Sequence, residues 1–267
     1  MVKKVQKAGS SPIQDSSTLV PSPSLPRLSI VIPCYNEEEG IPYLVSQLNV
    51  ALQKLEQQYA VQLVFVDDGS KDKTNELLHR YYGNDFRAKI VKHEQNKNLG
   101  AALRTGFAHC TGDFVATLDS DCTYNPELIS TMLDAMDEQT QMVTVSPYHP
   151  QGKVNNVPAY RIFLSKGASK LYKVVLGCPI HTYTAMVRVY RKNVLDNVTF
   201  EADNFLGVTE LFVKSILKGY KAKEVPVELS SRKFGVSKMK AVPFKVIGSH
   251  LSLLSKVVKH KVFKSPL

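Results

Sequence analysis

The sequence predicts an α/β domain with a mainly parallel sheet flanked by helices. Three observations carry this. The 267 residues suffice for one sizeable domain with its own core. Short apolar runs alternate with amphipathic helical patterns from residue 28 to residue 146. The polar turns with chemical character fall after the apolar runs, where open parallel sheets bind ligands.

Residues 1–27 are rich in Ser, Pro, Lys and Gln and are expected to form a disordered arm. Residues 28–239 form the predicted domain, and 240–267 a basic amphipathic tail. Leu28–Pro33 reads as a first strand. Glu37–Tyr59 reads as a helix, with Ile41, Leu44, Val45, Leu48, Leu52 and Leu55 on one face. Val61–Val66 is a second strand and Thr74–Tyr82 a helix. Lys89–Lys92 and Leu99–Cys110 repeat the pair. Phe114–Leu118, Pro126–Met136 and Met142–Ser146 complete the alternation. Beyond it the pattern is less regular: a helix over Tyr160–Leu176, a strand over Thr184–Tyr190, a helix over Thr209–Lys218 and a strand over Lys223–Leu229. From Lys240 onward the periodicity predicts a helix with Val242, Val246, Leu251, Leu254 and Val258 on one side.

The formal net charge is +10, and its placement is uneven. Residues 231–267 hold nine Lys/Arg and no Asp or Glu. A positive tail on a near-neutral body points to an anionic surface or ligand. Nucleic acid is not the expected partner, because no nucleic-acid-binding motif accompanies the charge. Cys34, Cys110, Cys122 and Cys178 form no C-x-x-C pair and no zinc or disulfide framework, which fits reduced thiols in the cytosol. No apolar stretch reaches the ~18 residues of a membrane-spanning helix. The expected location is cytoplasmic, and any membrane contact is expected to be peripheral, on the cytoplasmic face, or through a membrane partner subunit.

Three turns carry the chemistry. Pro33-Cys34-Tyr35-Asn36-Glu37 ends the first strand, with Pro33 expected to stop it and Glu37 to open the next helix. Val66-Asp67-Asp68-Gly69-Ser70 ends the second; its carboxylates could accept from a base or ribose, or equally cap the following helix. Asp119-Ser120-Asp121 ends the fourth, and two carboxylates so spaced can face one divalent cation that also binds substrate phosphates.

In this order and spacing, P-x-Y-N-E, V-D-D-G-S and D-x-D resemble the inverting glycosyltransferases of family 2, which have the GT-A fold. Within that family the chain resembles dolichol-phosphate mannose synthases and related polyprenyl-phosphate glycosyltransferases. Asn98-Leu99-Gly100, Arg161-x-x-x-Ser165-x-Gly167-Ala168, Val187–Lys192, Glu224-Val225-Pro226-Val227 and Arg232-x-x-Gly235-x-Ser237-Lys238 are similar to their segments. The resemblance implies transfer of mannose or another hexose from GDP-mannose or a UDP-hexose to a polyprenyl phosphate, assisted by Mg²⁺ or Mn²⁺. It implies that Pro33, Tyr35, Glu37, Val66 and Asp68 hold the nucleoside. It implies that Asp119, Ser120 and Asp121 hold metal and diphosphate, and that Arg161, Arg232 and Lys238 bind donor or acceptor phosphates. Of these, Asp121, Arg232 and Lys238 are the catalytic candidates.

Two departures stand out. Thr123 occupies the place of a Gln that many relatives use at the metal. Ser146-Pro147-Tyr148 replaces an S-R-Y triplet and so lacks one phosphate-binding cation, with His149 and Lys153 nearby. Transfer to a sugar or small-molecule hydroxyl, which needs a general base, and a non-catalytic nucleotide-sugar-binding subunit are the alternatives. For the first, Glu210 is the carboxylate to watch, with an ordinary helix N-terminal acid as the competing reading.

Overall fold

A computed structural model describes residues 25–230, 232–234 and 243–265. Lys238, Gly235, Ser237 and Val242 lie outside the described residues. The alternation is present: β1 (Arg27–Cys34), α1 (Ile41–Leu55), β2 (Ala60–Asp67), α2 (Thr74–Tyr82), β3 (Ala88–Lys92), α3 (Leu99–Ala108), β4 (Phe114–Thr117), α4 (Leu128–Asp134) and β5 (Met142–Ser146). The second half adds β6 (Lys153–Val154), α5 (Ala159–Leu176), β7 (Arg188–Arg191), α6 (Lys192–Asn197), α7 (Leu206–Leu217), β8 (Ala222–Pro226), β9 (Glu228–Leu229) and α8 (Pro243–Phe263).

Seven strands form one sheet in the order β3-β2-β1-β4-β7-β5-β8, and β6 pairs with β9 in a separate two-stranded ladder. All sheet pairs are parallel except the two made by β7, which runs antiparallel to β4 and β5. From β1 the chain moves outward to β2 and β3, then returns to place β4 on the other side of β1. The loops leaving β1 and β4 therefore diverge and open a crevice at the carboxyl end of the sheet.

Both faces are covered, as expected. Leu44 and Leu48 of α1, Leu78 of α2, and Ile129 and Met132 of α4 pack on Ile30, Leu63 and Phe65. The opposite face packs Leu103 of α3, Tyr172 of α5, Val194 of α6, and Leu211 and Phe212 of α7 on Val31, Val64 and Tyr190. Arg188 holds β7 in place from inside this layer. It is fully buried and donates to Thr144 Oγ1 (3.2 Å), Val208 O (2.6 Å) and Tyr183 O (2.6 Å), with its guanidinium 4.1 Å from the Phe212 ring. Carbonyl partners and an aromatic face offset part of the cost of burying that charge.

Several boundaries differ from the sequence reading, each for a tertiary reason. Pro33 does not stop the first strand, which continues to Cys34 through pairing with β2. The β4 ladder on its other side has ended at Val31, so the missing N–H of proline costs nothing there. The first helix starts at Ile41 rather than Glu37. The segment before it is held instead by the β2–α2 turn and the start of α2: Asn36, at φ 51°, donates from N to Ser70 Oγ (2.9 Å), and Glu37 N donates to Thr74 Oγ1 (2.7 Å). The strand expected over Lys223–Leu229 divides after Pro226, its first part pairing with β5 and its last with β6.

The C-terminal helix forms, but not with the expected face. It packs against α5 and α7 through Leu253, Leu254 and Val257, and Tyr172 Oη lies 3.1 Å from His250 Nδ1. Of the five residues read as one side, Leu254 is buried whereas Leu251 and Val258 are exposed. Ile247, Leu251, Val258 and Val262 form an outward apolar stripe beside the buried one.

Candidate active site

The β1–α1 and β2–α2 turns are joined along their length. Besides the Asn36 and Glu37 bonds, Lys71 N donates to Asn36 Oδ1 (2.8 Å), Glu38 N to Asp72 Oδ2 (3.1 Å) and Lys73 N to Glu38 Oε2 (2.9 Å). The carboxylates of V-D-D-G-S do not cap α2, where Asp72 Oδ1 accepts from Thr74 N instead (3.0 Å). Asp67 Oδ1 accepts from Ser70 N (2.9 Å), and its Oδ2 is buried with no partner. Asp68 turns toward the β3–α3 loop and accepts from His93 Nδ1 (2.7 Å), Lys97 N (2.9 Å) and Asn96 Nδ2 (2.9 Å). Gly69 makes this approach possible. It sits at φ +71°, and a Cβ there would fall 2.6 Å from Asn96 N.

Across the crevice, Asp119, Ser120 and Asp121 follow β4. Ser120 is buried, as is Cys34 of the facing turn, whose thiol donates to Ile32 O (3.6 Å). Cys122 adopts φ 50°, and Asp121 Oδ1 accepts from Thr123 N (3.0 Å). Desolvation, then Asp121 and Glu37, push the Asp119 pKa well above the ordinary carboxylate range, against an opposing pull from Arg232. Arg232 sits between the two sides of the crevice. Its Nη2 donates to Asp121 Oδ2 (2.7 Å) and Glu37 Oε1 (3.3 Å). Residues 233 and 234 reach α1: the Phe234 ring lies 5.4 Å from the Tyr43 ring, and Lys233 Nζ lies 4.8 Å from the centre of the Tyr43 ring.

The structure thus brings Glu37, Asp119, Asp121 and Arg232 together. Pro33 and Val66 are register partners at the strand ends, and the Val66 side chain is packed into the core. Tyr35 and Thr123 are partly exposed in the two turns. Arg161 opens α5, where its Nε donates to Tyr160 Oη (3.2 Å). One turn later Ser165 Oγ lies 2.5 Å from Thr184 Oγ1.

Glu210 is not a poised base. Its Oε1 pairs with Lys214 (2.8 Å), and its Oε2 accepts from Ala202 N (2.9 Å) and Glu201 N (3.2 Å). Burial alone would raise its pKa, but the Lys214 bond and the two amides outweigh burial and lower it. It holds the 198–205 loop against α3. There Asp203 O accepts from Gly100 N (2.5 Å) and Ala101 N (3.2 Å), satisfying donors at the α3 N-terminus.

Among the described residues no group of three or more His, Cys, Asp or Glu is arranged to hold a metal ion. A divalent cation here would complete its shell with substrate phosphate and water, as Mg²⁺ does elsewhere. The all-oxygen donors of Asp119, Asp121 and Thr123 fit Mg²⁺ or Mn²⁺. So does the electrostatics, since among the described residues Arg232 meets the carboxylates of Glu37 and Asp121 with Asp119 beside them.

The glycosyl transferase family 2 model matches residues 29–199, which contain all three acidic turns. The chain belongs to glycosyl transferase family 2. It is 34% identical over 233 residues to a polyprenol monophosphomannose synthase of Mycolicibacterium smegmatis, covering 85% of this chain and 84% of that protein. It is 30% identical over 239 residues to a dolichol-phosphate mannosyltransferase of Pyrococcus furiosus, covering 87% of this chain and 64% of that protein. The fold is similar to that of glucosyl-3-phosphoglycerate synthase from Mycobacterium tuberculosis, solved with Mn²⁺, UDP and glucosyl-3-phosphoglycerate. The TM-score is 0.64 at 21% identity, over 86% of this chain and 80% of that one. The GT-A arrangement expected from the three turns is therefore the one present.

Proposed function

We propose that this glycosyltransferase moves mannose or another hexose from GDP-mannose or a UDP-hexose to a polyprenyl phosphate, with inversion at the anomeric carbon. The observation that carries the reading is the crevice in which Arg232 spans Glu37 and Asp121 beside Asp119. A site built this way can hold a diphosphate and a second phosphate close together. The names of the mycobacterial and archaeal relatives support a lipid phosphate as acceptor.

In this reading Pro33, Tyr35, Glu37, Val66 and Asp68 line the nucleoside side. Asp119 and Asp121, with the Thr123 hydroxyl directly or through water, hold Mg²⁺ or Mn²⁺, which offsets charge on the departing diphosphate. Arg232, Lys238 and Arg161 neutralise and orient the phosphates. A phosphomonoester with a second pKa of about 6 is already largely ionised near neutral pH. It can attack the anomeric carbon without a protein base, so the protein's part is positioning and charge stabilisation. The engagement of Glu210 with Lys214 and two amides favours this acceptor over a hydroxyl.

Among the described residues no helix is long and apolar enough to cross a membrane. The approach to lipid is proposed to be peripheral, on the cytoplasmic face. The helices α5 and α8 pack side by side and contain no Asp or Glu. Phe163, Leu171 and Val174 on α5 and Leu251, Val258 and Val262 on α8 point outward, Phe163 and Val174 being 77% and 74% exposed. Lys166, Lys170, Lys256 and Lys259 lie on the same two helices, a pattern suited to an anionic interface. The test is donor-dependent labelling of dolichyl or undecaprenyl phosphate in the presence of Mg²⁺ or Mn²⁺. Failure to label either lipid, with a soluble acceptor glycosylated instead, rejects the reading.

A further inference from the structure

Asp68 is a buried carboxylate whose direction is set by another residue. Its side chain is 4% exposed and that of His93 is 6% exposed. Buried charge is tolerated only with partners, and three of them come from one loop: His93 Nδ1 and Lys97 N on Oδ1, and Asn96 Nδ2 on Oδ2. A carboxylate has about four acceptor positions, so the remaining one lies on Oδ2. His93 is itself held on two more sides. Its N donates to Asp67 O (2.9 Å), and its Nε2 lies 2.9 Å from Thr105 Oγ1. With Nδ1–H donating to Asp68, Nε2 faces the Thr105 hydroxyl, which can serve it as donor or acceptor, so the ring is held at both nitrogens.

We infer that His93 is a positioning residue for the nucleoside subsite: anchored on α3 through Thr105, it orients the Asp68 carboxylate so that the remaining Oδ2 position meets a donor on the base or ribose. This rests on the reading of Asp68 as a nucleoside contact. Loss of the Nδ1 bond lets the carboxylate rotate toward Lys97 and Asn96 and withdraws that acceptor. The diphosphate and metal end of the site, built by Asp119, Asp121 and Arg232, is left as it was.

The test compares two substitutions of similar size. His93→Asn keeps an N–H near the Nδ1 position, and His93→Gln keeps a polar group near Nε2 and loses the bond to Asp68. Affinities for GDP, UDP and inorganic pyrophosphate are measured by calorimetry with Mn²⁺. His93→Gln should weaken binding of the preferred nucleotide about tenfold, the scale of one charge-assisted hydrogen bond, and leave pyrophosphate binding unchanged. His93→Asn should restore most of the nucleotide affinity. Thr105→Val, which removes only the outer anchor, should show a smaller loss of the same kind and serves if His93→Gln does not fold. Asp68→Asn is run beside them. If it weakens nucleotide binding and His93→Gln and Thr105→Val do not, the positioning role is overturned and the Asp68 contact stands. If Asp68→Asn binds nucleotide as the wild type does, the contact and the positioning role both fail. Equal losses for nucleotide and pyrophosphate would overturn the inference in favour of a general structural role.

Discussion

Arg232 donates from Nη2 to Asp121 Oδ2 at 2.7 Å, across 111 residues of sequence, and thereby places a cation on the carboxylate proposed to hold the metal. Guanidinium and divalent ion draw on the same oxygen. Arg232→Met should therefore not weaken Mn²⁺ binding and should tighten it, measured by titration of the folded protein. Turnover should fall on the order of tenfold to a hundredfold, the loss of a charged hydrogen bond worth roughly 1.5–3 kcal/mol. Weaker Mn²⁺ binding in the variant would show that Arg232 supports the metal rather than competing with it.

Asp121→Asn and Asp119→Asn should abolish metal-dependent transfer, and Asp119→Asn should do so with thermal stability no lower than wild type. Asp119→Asn removes a desolvated carboxyl that faces Asp121 and Glu37, whereas Asp121→Asn also weakens the bond from Arg232 and should lose some stability. Wild-type activity of Asp121→Asn in metal-depleted buffer would contradict this assignment.

The raised pKa of Asp119 has a pH consequence. Between the ordinary carboxylate pKa and the raised one, the folded protein holds a proton that the unfolded chain has lost. Linkage then makes the metal-free fold more stable as pH falls through that window, and less stable as pH rises through the folded pKa. Metal binding runs the other way, because it needs the ionised group. Mn²⁺ affinity should decline on mild acidification, and Asp121→Asn, by removing the second-largest cause of the shift, should move the stability transition to lower pH. Stability scans of metal-free protein against pH check the sign.

The strands after which the site is built were legible because each is a short apolar run followed by a polar turn that carries an acid. Thr74–Tyr82 and Met142–Ser146 have the bounds read from the sequence. Long-range satisfaction of polar groups was not legible. Nothing local says that Glu37 N will find Thr74 Oγ1, so the first helix begins four residues later than its periodicity indicates. Nothing local couples His93 to Asp68, 25 residues away. The six-residue α6 and the two-residue strands β6 and β9 are too short for a periodic signal. In α8 the hydrophobic residues cover two adjoining stripes, and only the neighbours α5 and α7 decide that Leu253, Leu254 and Val257 go inward. Arg232 at the D-S-D turn was reachable through the family resemblance, not through spacing.

The outward stripe of α8 yields a membrane prediction. Removing the helix would expose the surface under Leu253, Leu254 and Val257, so point changes are the better probe. Leu251→Ser with Val262→Ser should leave the melting temperature near wild type and weaken flotation with anionic vesicles by on the order of tenfold or more, since burying one such side chain is worth about 1.5–3 kcal/mol. Unchanged flotation at low salt would move lipid access to a partner subunit.

The most direct measurement is mass spectrometry of the lipid fraction after purified protein is incubated with GDP-mannose, UDP-hexoses, Mn²⁺ and a polyprenyl phosphate. The account predicts a hexosyl-phosphoryl-polyprenol that forms with one donor, requires the divalent ion and disappears in Asp121→Asn. A protein that binds nucleotide sugar yet leaves the lipid unmodified, or that forms the same product with Asp121→Asn, would contradict it.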